Sequence, residues 1–299
     1  MNPTASVLLF SIYVDFIKTS WLNFNNVNQF YLEVLCENVL ILSSKKLTME
    51  LFKSGNPTLS EKAFKNTLYI DQNNSMTVRG TLNKFGFMFL MLMGTAYYSW
   101  KEYAGGGDVQ SLIWGGAIGG LVIALVIMFK KEWSPYLAPL YALLEGLFIG
   151  AISAYYNDAF ATKMPNIIMN AVGLTFGTAI SMYFLYSFKI IQATEKFKAI
   201  VFTATAGIAV FYLIAMVVRM FGVEMAFLHE GSLMGIGLSL VVVAIAALNL
   251  ILDFDMMERG AEAGAPKYME WYGSFGLMVT IVWLYLEILR LLSKLSSRK

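Results

Sequence analysis

The chain has 299 residues, 58 % hydrophobic and only 14 % charged, with a mean hydropathy of +0.61. A soluble domain carries about a quarter charged residues, so this apolar excess calls for lipid rather than a protein core alone. A net charge of +2 gives no footing for nucleic-acid binding; the single Cys36 excludes an intrachain disulfide, and the single His229 excludes zinc sites built on two histidines.

Residues 1–48 differ from the rest: they hold a short apolar run at Val7–Tyr13, several Asn and no Gly, and the first basic residue is Lys18. That lacks the charged start of a signal peptide. Met49 then opens a plausible start of its own, so 1–48 reads either as upstream sequence translated from a miscalled start or as a poorly ordered extension. An intact mass of the native protein that includes 1–48 rules out the first. Residues 49–81 are polar and amphiphilic and read as a cytoplasmic lead-in, followed by one transmembrane domain over 82–299.

Seven apolar stretches follow, at about 82–100, 111–129, 135–155, 166–188, 199–221, 233–254 and 271–293. Each is near the roughly 20 residues with which a helix crosses a ~30 Å hydrocarbon layer. The fold class is therefore all-α, a polytopic membrane protein with a seven-helix bundle. The longest loop, about 256–270, contains Gly260, Gly264 and Pro266, which are read as ending one helix and starting the next. With the N-terminus inside, eleven basic residues fall on inner segments and three in outer loops. The tail Arg290, Lys294, Arg298 and Lys299 dissents, yet the balance still places the N-terminus in the cytoplasm. A six-helix arrangement with a re-entrant segment would put that tail inside instead. Small residues repeat at four-residue spacing in Gly115/Gly119, Gly116/Gly120, Gly146/Gly150 and Gly173/Gly177, a pattern of generic close helix packing.

The carboxylates in the apolar stretches carry the functional signal, because an ionisable group there costs roughly 2.5–3.5 kcal/mol on insertion scales. Asn249 and Asp253 share one helix face, and Asp253 has no basic residue within a turn. Asp255 has Arg259 one turn later, which fits a satisfied structural pair. Glu287 has Arg290 at i+3 and could be neutralised locally. Glu145, in the middle of the third stretch, has only Tyr141 as a polar neighbour within a turn and must face a polar cavity or another helix.

Leu252-Asp253-Phe254-Asp255 and Leu284-Tyr285-Leu286-Glu287, with Leu144-Glu145-Gly146-Leu147 more weakly, resemble motifs of the Bax inhibitor family in its bacterial branch, over about 49–299. The resemblance implies a seven-helix bundle with the last helix near the centre, in a bacterial cytoplasmic membrane. It also implies a pH-sensitive calcium leak closed by two hydrogen-bonded acids, matching Asp253 and Glu287. Glu145 and Asn249 would line the path, and Lys130 or Lys131 would latch the closed form. Ca²⁺ is then the transported ion, held transiently at Asp253 and Glu287, with no cofactor and no catalytic residue. Two departures stand out: the family's second acid is commonly Asp where this chain has Glu287, and the spacing from Asp253 is about ten residues longer. The acids can meet only if 267–275 breaks away from the last helix. If 267–295 is one straight helix, Glu287 takes another partner such as Arg290 or Glu145.

A rival reading is a non-transporting regulator that binds a membrane protease or another membrane protein through 49–81. Deleting 49–78 separates the two, since a leak keeps its flux and a partner loses its regulation. Enzyme readings are weaker. Gly105-Gly106-Gly107-Asp108 mimics an intramembrane protease motif but lies in a Gly-rich turn. A retinal protein needs a lysine inside the last helix, and Trp271–Leu289 has none.

Overall fold

The computed structural model describes residues 75–221 and 232–298. The expected extension 1–48, most of the lead-in 49–81 and His229 lie outside the described residues. Among the described residues are seven α-helices: α1 Val78–Ala104, α2 Gln110–Phe129, α3 Ser134–Ala159, α4 Ile167–Ser187, α5 Glu195–Met220, α6 Leu233–Glu262 and α7 Met269–Ser297. A short 3₁₀ turn, Lys131–Trp133, joins α2 to α3. Every expected stretch falls on one of these helices.

Six of them, α2 to α7, are long and apolar enough to cross a membrane. The first expected span does form a helix of 27 residues, α1, but it is not among the six. Its apolar middle is framed by Asn83 and Lys84 at one end and by Tyr97, Tyr98, Trp100 and Lys101 at the other. These dilute its hydropathy.

Helix starts follow from the sequence. Thr77 caps α1, its hydroxyl accepting the Gly80 N–H, and Ser232 caps α6 through the Gly235 N–H. Pro135, in the first turn of α3, needs no N–H partner. The α6–α7 connection is shorter than the expected 256–270 loop. Helix α6 runs through Gly260 to Glu262, and the chain turns at Gly264, whose φ of 65° suits a residue without Cβ. Gly260 does not end the helix; it leaves room for Met76, whose sulfur would lie 2.9 Å from an added Cβ.

Helix α7 is the hub, with 24 of its residues buried and contacts to α1, α3, α4 and α6. Lipid would cover the outward faces of the others, which expose residues such as Leu90, Phe129, Met169 and Leu240. Tight seams join α1 to α3 and α2 to α3. A Cβ on Gly150 would overlap the Ala96 backbone, one on Gly146 the Leu92 carbonyl, and one on Gly116 the Leu144 carbonyl. Gly173 and Gly177 face open space. Gly150→Ala is therefore expected to lower stability by about 1–3 kcal/mol through forced separation of α1 and α3. Gly173→Ala is the control, expected to leave thermal unfolding in detergent unchanged.

Candidate functional site: a buried polar column

The polar residues of α7 recur at seven-residue spacing, Thr280, Glu287 and Lys294, so they lie on one stripe of the helix. That stripe faces α5 and α6. The contacts Thr280–Asp253 and Lys294–Ser239 keep one antiparallel register between α7 and α6, and Asn249–Thr205 and Asp255–Lys198 do the same between α6 and α5. The near end of the bundle is where α1 and α7 begin, and the far end is where α7 finishes. From near to far, the three helices build a column of polar groups through the most buried part of the bundle.

At the near end Asp255 accepts Lys198 Nζ at 2.9 Å and Arg259 Nε at 3.0 Å, with Glu195 beside Lys198 at 3.2 Å. This is the structural pairing expected from Asp255 and Arg259, enlarged by Lys198 from another helix. Next comes Asp253, 1 % exposed, whose carboxyl group meets the Thr280 hydroxyl. The same hydroxyl also lies 3.1 Å from the Gly276 carbonyl. Asn249 donates to Thr205 Oγ1 at 2.9 Å and to the Ile245 carbonyl at 2.8 Å.

Two turns beyond Thr280, roughly 10 Å along the axis, Glu287 is fully buried. Arg290 Nη1 donates to both of its oxygens at 2.9 and 3.0 Å and to the Tyr212 hydroxyl at 2.6 Å. The Arg290 guanidinium also sits 5.1 Å from the centre of the Tyr212 ring. Trp283 Nε1 donates to Glu287 at 3.3 Å, and the Tyr212 hydroxyl lies 3.4 Å from each carboxyl oxygen. At the far end Lys294, 4 % exposed, donates to the Gly235 carbonyl at 3.0 Å and to Ser239 Oγ at 2.8 Å.

The two acids of the expected gate are thus held in separate settings in this conformation, Asp253 against Thr280 and Glu287 against Arg290. The reason is geometric. Helix α7 is continuous from Met269, with no break over 267–275, so Glu287 stands two turns past the residue that Asp253 meets. Of the two partners expected for a straight last helix, Arg290 and Glu145, the structure pairs Glu287 with Arg290.

Glu145 is fully buried on α3, and neither carboxyl oxygen has a good hydrogen bond among the described residues; the Tyr141 hydroxyl is the polar group acting on it. Helices α3 and α7 run parallel and in step through Ser134–Tyr268, Tyr141–Phe275 and Ser153–Tyr285. That register sets Glu145 at the depth of Leu277–Val279, beside the level of Thr280. Of the expected latch residues, Lys131 lies 5.3 Å from the Tyr272 ring centre, about two turns before Thr280, and Lys130 is exposed at the end of α2. Among the described residues no group of three or more His, Cys, Asp or Glu is gathered for a metal.

Several participants had no sequence signal strong enough to single them out. Lys198, Tyr212 and Thr280 become visible only when α5, α6 and α7 are packed. Lys294 carried a signal in its seven-residue spacing from Glu287, masked by the other basic residues of the tail. A second buried cluster sits at the near end, where Glu270 meets Lys84, Lys267 at 2.9 Å, and both the N–H and hydroxyl of Thr77 at 2.9 and 2.8 Å.

No curated protein matches the chain. A family model described as Bax inhibitor 1 like matches residues 56–297, which takes in all seven helices and the whole polar column. The chain therefore belongs to the Bax inhibitor 1 like family, as an integral membrane protein.

Proposed function

We propose that the protein is a pH-sensitive cation leak of the Bax inhibitor type, with Ca²⁺ among the ions it passes, in a conformation where the path is closed. In this reading α1 also crosses the bilayer, giving seven spans, and the N-terminus lies in the cytoplasm of a bacterial cell. No bond of a substrate is made or broken, so the protein acts as a conduit rather than an enzyme. The observation that carries the proposal is the column itself: acids and hydroxyls from α5, α6 and α7 follow one another through the centre of an apolar bundle. Buried ionisable groups in membrane helices mark ion or proton paths because their cost would otherwise be avoided.

Protonation acts at Asp253. The Thr280 hydroxyl has one hydrogen, and both Asp253 and the Gly276 carbonyl stand within its reach as acceptors. Ionised Asp253 takes that hydrogen. Protonated Asp253 instead donates to Thr280, which turns its hydrogen to Gly276. The pair changes charge without moving a helix, and only the ionised form presents a negatively charged oxygen ligand to a cation. Glu287 is paired with Arg290 two turns beyond the Asp253–Thr280 contact, so it shapes the path rather than sharing a proton with Asp253. Glu145, at the same depth as Thr280, lines the path from the α3 side.

Cation flux into proteoliposomes across a range of pH tests this. Wild-type flux is expected to rise with pH, and Asp253→Asn is expected to abolish that dependence while Glu287→Gln changes the rate and keeps it. A pH profile untouched by Asp253→Asn overturns the assignment. A regulatory role through a membrane partner is the second reading, favoured by the contact of Thr77, at the end of the lead-in, with Glu270 of the central helix.

A further inference from the structure

The charges along the column do not balance evenly. Asp255 is matched by Lys198 and Arg259 at the near end, and Glu287 is matched by Arg290 farther along. Lys294 is different. It lies in the last turn of α7, where the helix dipole favours a cation, yet its two hydrogen-bond partners, the Gly235 carbonyl and the Ser239 hydroxyl, are both neutral. Its partners belong to the first turns of α6, whose N-terminal dipole is itself positive. A permeating ion that passes Glu287 therefore meets a net positive field as the column ends. Lysine is almost never placed at 4 % exposure without a direct ion pair, and a polar or apolar residue would tether α6 at lower cost. The charges that act on Lys294 from a distance are Arg290, which repels it, and Glu287, which Arg290 already pairs.

We propose that Lys294 is a charge barrier at the far end of the polar column, a specificity-determining residue that repels cations and holds the leak to a low rate. The inference rests on the conduit reading above. Fixed charges of this kind set ionic selectivity in channels by raising the energy of like-charged ions in a low-dielectric passage. Electrostatic work scales with the charge of the ion, so the barrier acts twice as strongly on a divalent ion as on a monovalent one. Because rates depend exponentially on that work, the effect of removing it on a divalent flux is the square of its effect on a monovalent flux.

Purified full-length protein in proteoliposomes tests this with K⁺, Ca²⁺ and the neutral solute mannitol, at one pH for all. Lys294→Met and Lys294→Gln are expected to raise K⁺ entry about tenfold and Ca²⁺ entry about a hundredfold, as charge scaling requires, with mannitol unchanged. Lys294→Arg restores the charge and is expected to restore the low flux. Loss of a merely structural tether would raise all three solutes together, and that result overturns the barrier. If the wild type passes cations and folded Lys294→Met alters K⁺ and Ca²⁺ equally or not at all, the barrier falls and the conduit stands. Silence of wild type and every variant toward both cations overturns the conduit and the barrier with it. A silent wild type with charge-scaled flux in Lys294→Met supports the barrier.

Discussion

Arg290→Leu is expected to destabilise the protein by about 3–5 kcal/mol, because it leaves the fully buried Glu287 carboxylate without its countercharge. Arg290 also ends a hydrogen-bonded chain: it donates to Tyr212, and the Tyr212 hydroxyl stands beside Glu287. Removing the guanidinium therefore withdraws a charged donor from two buried groups rather than one. The double substitution Glu287→Leu with Arg290→Leu removes both charges and is expected to recover most of the loss, since a buried ion pair is often replaceable by apolar residues at little net cost. Thermal or denaturant unfolding of the two single variants and the double variant in detergent gives the coupling directly. Additive losses, with no recovery in the double variant, would show that Glu287 does not depend on Arg290. The result bears on function because it measures how firmly Arg290 holds Glu287 in the polar column.

The parts of this protein legible in its sequence are those governed by local spacing. Seven apolar stretches became seven helices because a membrane-length helix satisfies its own backbone and needs no distant partner to form. Asn249 and Asp253 were legible as one stripe, and Asp255–Arg259 and Glu287–Arg290 as pairs, because i+3 and i+4 positions lie on one helix face. The 256–270 segment was misread because Gly260 has two possible meanings, a helix stop or a close approach, and only Met76 packed against it decides. The meeting of Asp253 with Thr280 was hidden for a related reason. Which residue of α7 lies opposite Asp253 depends on how tightly Gly264 and Pro266 turn the chain, and two residues of register change the answer.

Glu270→Ala is expected to lower stability by about 2–3 kcal/mol, less than the Arg290 change because its lysine partners can reach water. The carboxylate is fully buried yet gathers Lys84 from α1, Lys267 from the α6–α7 turn and two donors from Thr77. The backbone reinforces this dock: the Met76 N–H donates to the Ala265 carbonyl at 2.7 Å, and Ser75 bridges to Pro266. Gly80 is part of it, because an added Cβ would fall on the Glu270 carboxyl group itself. Gly80→Ala should therefore displace that carboxylate and act in the same direction without touching a charge. Hydrogen exchange over 75–81 and 264–272 locates the effect, with both variants expected to speed exchange there and leave the middle of α3 unchanged. Unchanged exchange in both segments would mean that the lead-in is not held by Glu270. Where it is held, the chain ahead of α1 is fastened to the start of the central helix, and a pull on that segment reaches the helix carrying Thr280, Glu287 and Lys294.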